Sequence, residues 1–179
     1  FATPGIGKAD RAFEELKREV EIKGIRVVKV NKRDKIVISD KGKVESRVIT
    51  LSTLWPEKEE IELLSDEAIE NSRVLGAKIA SNSPNEYSLV FNLNYGKFDA
   101  LLTGDIVPPG SDEVGEEIRK IREIGGLGEI EILKVPHHGS KNGLTQDLLE
   151  VVKPKLAIIS AGKNNRYGHP SQEILGMLG

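Results

Sequence analysis

Hydrophobic positions near the start of the chain follow a helical period. Within residues 8–23, Phe13, Leu16 and Val20 fall on one face, with charged residues between them. Gly24 follows as a typical helix end. The pattern predicts an amphipathic helix that covers one face of a sheet.

The period then changes to that of β-strands. Apolar, β-branched runs at residues 25–30, 35–39 and 48–51 are separated by charged turns, which predicts an antiparallel meander. Residues 57–85 are polar and poorly periodic. A long connection of this kind either lines a site or carries little order, and the sequence leaves both readings open.

Alternating hydrophobicity returns in the second half of the chain. Residues 87–95 and 98–105 are joined by a tight Gly-Lys turn, so the pattern predicts a hairpin with Asp105 at its end. Two prolines follow, and Ser111 then opens a predicted helix over residues 111–124. The hairpin therefore places a carboxylate at the end of a strand.

Two further strands end in loops that carry histidine. Residues 130–135 form an apolar run that stops at a proline and leads into His137 and His138. Thr145 is expected to cap a short helix, and residues 156–160 form a second run, predicted to be buried, before the loop that holds His169. All three histidines thus follow strands.

The composition indicates one globular domain over residues 1–179. The chain is 38% hydrophobic and 30% charged, and 26 basic against 28 acidic residues give a net charge of −2. No overall field therefore attracts nucleic acid. Cysteine is absent, so any metal site must use His, Asp and Glu. No apolar run is long enough to span a bilayer. The residues at both ends lead us to expect a piece of a longer protein.

Asp105, His137, His138 and His169 follow successive strands, so they can meet at one sheet edge. Their donors suit zinc or manganese, which activates water for hydrolysis. The alternatives are ordinary ones: Asp105 as a turn former, one histidine buried and its neighbour solvated, and His169 as a helix-entry residue before proline. A shared site explains the common placement better than three separate causes.

In this order and spacing, the segments LLTGD, HHGS and AGKNNRYGHP resemble the C-terminal half of the metallo-β-lactamase fold in ComEC-type DNA-internalisation competence proteins. The resemblance implies an α/β, αββα four-layer sandwich with two metal ions along one edge. Asp105 would bridge the metals, and His137 would be a ligand, with His138 as the other choice. His169 would line the substrate side.

The family's main ligand run, His-x-His-x-Asp-His, is missing from the chain. We therefore expect a domain truncated at its N-terminus that binds metal poorly by itself, because such sites usually need three or four protein ligands.

The resemblance implies a metal-dependent hydrolase, a phosphodiesterase or nuclease acting on DNA during competence-related uptake. His138 or His169 would protonate the leaving oxygen. The predicted substrate-binding residues are a loop set, in which the cations hold phosphate and the tyrosine stacks on a base: Ser140, Lys141, Asn165, Arg166 and Tyr167. For Lys141 and Arg166 a solvated loop is the simpler reading.

Two alternatives stay open. The same fold hosts hydrolases of small esters, lactones or thioesters, with a small molecule as partner. The chain could also be catalytically silent, as a binding or structural part of a membrane transporter. For every one of these functions the sequence leaves the localisation open; we expect a soluble domain, tethered to the membrane if the remainder of the longer protein is embedded there.

Overall fold

The computed structural model describes residues 11–28, 30, 32–39, 48–56 and 84–179. The described residues form a mixed α/β structure with one six-stranded sheet whose strands lie in sequence order. Most of the polar section at 57–85 lies outside the described residues. The strands are β1 (Lys35–Ser39), β2 (Val48–Trp55), β3 (Val90–Tyr95), β4 (Phe98–Leu102), β5 (Ile132–Lys134) and β6 (Leu156–Ile158).

Four α-helices accompany the sheet in the described part of the chain: α1 (Arg11–Ile22), α2 (Gly110–Glu123), α3 (Gln146–Val152) and α4 (Gln172–Leu178). The predicted capping of α3 is confirmed, because the Thr145 side chain accepts a hydrogen bond from the Leu148 amide at 3.2 Å. The helix prediction at 111–124 is confirmed within one residue at each end.

The sheet changes direction at β4. Strands β1 to β4 pair antiparallel, and the predicted tight turn at Gly96 and Lys97 joins β3 to β4. Strands β4, β5 and β6 pair parallel. The carboxyl ends of three successive strands therefore lie at the same edge of the sheet, as the sequence predicts.

The core lies on one face of this sheet. Leu101, Leu133 and Ala157 are neighbours across β4, β5 and β6, and the first two are fully buried. Helices α2, α3 and α4 cover them with side chains of the same buried cluster: Val114, Ile118, Leu148, Val151, Val152 and Ile174. This packing fixes the strands whose ends carry the candidate chemistry.

The opposite face of the sheet is apolar as well. The strand register places one residue of every strand in a continuous row: Ile36, Leu51, Leu93, Ala100, Ile132 and Leu156. The row beside it includes Ile38 and Tyr95, which are 54% and 40% exposed. A whole sheet face of this kind is larger than soluble proteins usually leave open.

Two predictions about the N-terminal part are wrong. Residues 25–28 form no strand, and Ile25 instead donates its amide to the Val20 carbonyl at the end of α1. The described side chains of α1 do not pack on the sheet, since Leu16 is 44% and Ile22 66% exposed. Hydrophobic spacing predicted the helix correctly, but it did not predict which surface the helix contacts.

Two predictions in the second half also need correction. Strand β6 is not buried: it is an edge strand, and Leu156 and Ile158 are about half exposed because they project from the face that no described helix covers. Ser111 does not cap α2; its buried hydroxyl donates to the Gly143 carbonyl at 2.8 Å and ties α2 to the loop after β5.

Candidate functional site

Asp105 lies just beyond β4, in a turn that depends on Gly104. Gly104 has a left-handed φ of 56°, and a Cβ there would lie 3.0 Å from Ser88 Cβ. The Asp105 amide donates to Ser88 Oγ at 3.1 Å. The turn therefore fixes the backbone of the carboxylate against the segment that precedes β3.

His137 and His138 lie in a 3-10 turn, Pro136–Gly139, directly after β5. Both histidines have left-handed backbone angles, with φ of 50° and 56°. This conformation costs a non-glycine residue roughly 1–3 kcal/mol, and such strained residues cluster at functional sites. The turn thus holds both imidazoles at the sheet edge at a cost in backbone energy.

His138 is the histidine that contacts Asp105. Its Nε2 lies 3.4 Å from Asp105 Oδ2, and its Nδ1 lies 2.6 Å from the Ser160 carbonyl oxygen. A carbonyl oxygen can only accept, so Nδ1 carries a hydrogen. In neutral His138 a lone pair on Nε2 would then face the carboxylate. Two acceptor atoms that face each other repel unless a hydrogen, a water molecule or a metal ion lies between them, and a metal ion bound to both is one of these arrangements.

Lys134 supplies one positive charge to this site. Its Nζ lies 3.5 Å from Asp105 Oδ1 and donates to the Gly104 carbonyl. Sequence reasoning missed Lys134 because it is the last residue of β5 and reads as an ordinary solvated lysine. The strand register is the signal that could have found Lys134. It pairs Lys134 with Leu102, and both side chains project from the sheet face opposite the core.

His137 lies in a different environment. Its Nε2 lies 3.2 Å from Asn85 Nδ2, which only donates. Its Nδ1 is buried and has no hydrogen-bond partner among the described residues. Burial lowers the pKa of His137 below its ordinary value, and the charge of Asp105 opposes this shift only in part. His137 is therefore neutral at pH 7, the form in which imidazole binds metals.

His169 completes the group of predicted site residues. Its ring lies 5.8 Å from the ring of His137, edge to face. The alternative of a helix-entry residue before a proline at the first helical position is wrong, because α4 begins at Gln172 after the cap residue Ser171. The structure thus forms two contacts at the ends of β4, β5 and β6. One joins Asp105 to His138, and the other joins His137 to His169.

The predicted substrate-binding residues occupy two adjacent loops. Ser140 is buried, whereas Lys141 and Arg166 are exposed beside the site. Tyr167 is 65% exposed, and the side chain of Asn165 makes its hydrogen bonds within its own loop. Their substrate contacts remain predictions.

The donors fit part of a metal site. Among the described residues no group of three or more His, Asp or Glu side chains is close enough to hold an ion. Asp105 and His138 are suitable ligands for zinc or manganese. His137 would join them only after its contact with Asn85 is exchanged, because an Nε2 that accepts from Asn85 Nδ2 leaves the hydrogen of the neutral ring on Nδ1. The choice of His137 as the ligand remains a prediction, although His138 makes the contact with Asp105.

Gly139 holds the two histidine loops together, which gives a testable prediction. It has φ of 77°, and an added Cβ would lie 2.7 Å from Pro170 Cβ. Gly139→Ala is expected to destabilise the chain by about 1–3 kcal/mol more than Gly125→Ala, because the clash adds to the backbone strain. Gly125 is the matched control, since its φ is 70° and no described atom would meet its Cβ within 4 Å. Urea denaturation measures the difference, and equal losses would show that the loops are not packed this way.

The chain is similar to proteins with competence names. It is 42% identical over 96 residues to ComE operon protein 3 of Bacillus subtilis. It is 34% identical over 100 residues to Recombination protein 2 of Haemophilus influenzae and 32% identical over 90 residues to Competence protein ComA of Neisseria gonorrhoeae. These matches cover 50–56% of the chain and 12% of each relative. The chain is thus a relative of competence proteins.

The comparisons with family models and with solved structures identify no family for the chain. No family model matches the chain, and no solved structure matches it. Within the described residues, no helix combines the length and apolarity that crossing a membrane requires.

Proposed function

We propose that this relative of competence proteins is part of a metal-dependent phosphodiesterase or nuclease domain that acts on DNA during its uptake. The observation that carries the proposal is the contact between Asp105 and His138 at the ends of two parallel strands, with His137 and His169 beside it. Two acceptor atoms face each other there, and a divalent ion bound to both is one arrangement that joins them.

The fold proposed for the complete domain is the metallo-β-lactamase-like αββα sandwich. The apolar row across all six strands supports it, because a second sheet packed on that face would bury the row. The occupant that we propose is a sheet from the remainder of the same longer protein. The matched relatives have room for it, since the match covers only 12% of their length.

Within this domain Asp105 and one or both of His137 and His138 would hold zinc or manganese together with ligands from outside this chain. When bound, such ions supply an activated water and positive charge for hydrolysis of a phosphodiester. Lys134 would keep the Asp105 carboxylate oriented toward the site through its contact at 3.5 Å. The carbonyl of Ser160 would hold His138 in a single ring orientation.

His169 is the better placed of the two proposed proton donors. Among the described residues its ring contacts the rings of His137 and Tyr167, each at 5.8 Å between centroids, and neither contact is a hydrogen bond to a ring nitrogen. His138 is already committed to Asp105 and Ser160. His169 would therefore protonate the leaving oxygen, while Lys141 and Arg166 hold the phosphate.

The experiment that tests this function compares substrates. The longer protein, purified with manganese or zinc, is expected to cleave a labelled DNA oligonucleotide, and EDTA is expected to stop the cleavage. A p-nitrophenyl ester and a lactone serve as the competing substrates. Hydrolysis of these with no cleavage of DNA would favour the small-molecule alternative, and no hydrolysis of any substrate would favour a binding or structural role in a membrane transporter.

A further inference from the structure

The loop before α4 is held in one shape by a single side chain. Asn165 Oδ1 accepts hydrogen bonds from the amides of Tyr167 and His169 at 3.1 and 3.0 Å. Its Nδ2 donates to the carbonyls of Gly162 and His169 at 2.9 and 2.7 Å. The loop therefore needs no contribution from the ring of Tyr167 to keep its shape.

Tyr167 nevertheless takes part in a stack of planar groups. Its ring lies parallel to that of His169, with centroids 5.8 Å apart and 16° between the planes. The Arg166 guanidinium carbon lies 4.8 Å from the Tyr167 ring centre. The stack continues to His137, whose ring meets His169 edge on. It thus runs from the candidate site outward to a tyrosine that is 65% exposed.

The two loops around this stack are cationic in an acidic chain. Residues 135–145 contain one lysine, Lys141, and no acidic residue, and residues 159–171 contain Lys163 and Arg166 and no acidic residue. The whole chain carries a net charge of −2. A polyanion that approaches the edge with the histidines therefore meets locally positive loops.

We infer that Tyr167, together with Arg166, is a stacking platform for an unpaired nucleobase of a single-stranded polynucleotide. The inference rests on the proposed function and specifies its substrate. Both faces of a base in duplex DNA are covered by its neighbours, so only an unpaired base can lie on the tyrosine ring. The cations hold the backbone on either side of that base, and the stacked strand leads to His169 and Asp105.

The test is oligonucleotide binding by the chain itself, measured by fluorescence anisotropy with labelled oligothymidine in EDTA at low salt. Tyr167→Leu is expected to weaken binding roughly 5- to 100-fold, as loss of one stacked base does elsewhere. Tyr167→Phe keeps the ring but loses the hydrogen bond that the hydroxyl accepts from Arg166, so it is expected to keep most of the binding. Tyr95→Leu is the matched control, because Tyr95 is also exposed, at 40%, but lies on the sheet.

A strand with abasic sites separates stacking from charge. It is expected to bind the unchanged chain and Tyr167→Leu equally, since no base is available to stack. A DNA duplex is likewise expected to bind the two proteins equally. Any of three results would overturn the inference. The unchanged chain and Tyr167→Leu bind oligothymidine equally, or Tyr167→Leu loses as much affinity for the abasic strand as for oligothymidine, or the unchanged chain binds no oligonucleotide. Because no metal is present, the outcome does not depend on whether the longer protein is a hydrolase.

Discussion

Replacement of Asp105 by alanine in the longer protein is expected to weaken binding of zinc or manganese by about 100-fold or more. Changes to residues that merely support metal ligands cost about 10- to 100-fold, and Asp105 is proposed to be a ligand itself. Its carboxylate contacts both His138 and Lys134, so its loss leaves the imidazole and the ammonium without their common anion. Isothermal titration with metal ion measures the change, and DNA cleavage should fall in parallel.

Two variants make this result specific. Asp105→Asn keeps the shape of the side chain and removes its charge, so it should lose metal nearly as completely as alanine. Asp112→Ala removes an exposed carboxylate in the first turn of α2 and should change nothing. Unchanged metal affinity in Asp105→Ala, with the control also unchanged, would remove Asp105 from the site.

The second large effect is expected at Glu117, far from the proposed chemistry. Its Oε2 lies 3.2 Å from the Nζ of Lys32, and the two side chains are only 9% and 5% exposed. Arg33 Nε lies 4.0 Å from the other carboxylate oxygen, Glu117 Oε1. Glu117→Ala would remove the buried carboxylate that faces the Lys32 ammonium. We expect a loss of roughly 1.5–3 kcal/mol in the free energy of unfolding, as for a lost interaction with a charged group.

Glu116→Ala is the matched control for this experiment. Glu116 precedes Glu117 on α2 and pairs with Arg119, but its side chain is 54% exposed. Exposed pairs contribute about 0–1 kcal/mol, so this variant should unfold near the midpoint of the unchanged chain. Replacement of both Lys32 and Glu117 by Met and Leu should recover much of the loss. Equal midpoints for Glu117→Ala and Glu116→Ala would show that Lys32 is not held in the interior.

The strands of the second half were predictable because their sequence signals are local. Alternating residues and the tight turn gave β3 and β4, and a proline or charged turn marked the end of each later strand. Local signals did not predict whether an apolar run forms a strand or becomes buried. Residues 25–28 form no strand and β6 is half exposed, since strand formation and burial depend on neighbours that periodicity does not specify.

The site was predictable to a similar extent. That Asp105 and the histidines meet at one edge follows from consecutive parallel strands, and the structure confirms this placement. Which histidine contacts Asp105 depends on left-handed backbone angles in the turn, which the letters HHGS do not reveal. Lys134 was missed because its role comes from the register of β5 against β4.

In the proposed function this chain holds only part of a metal site. Elemental analysis of metal content tests this on the chain and on the longer protein, after equilibration with zinc or manganese and removal of free ion. About two equivalents are expected in the longer protein and little in the chain, as two-metal hydrolases require. If the longer protein is empty under both metals, the proposed metal site is wrong and the domain is a binding or structural module.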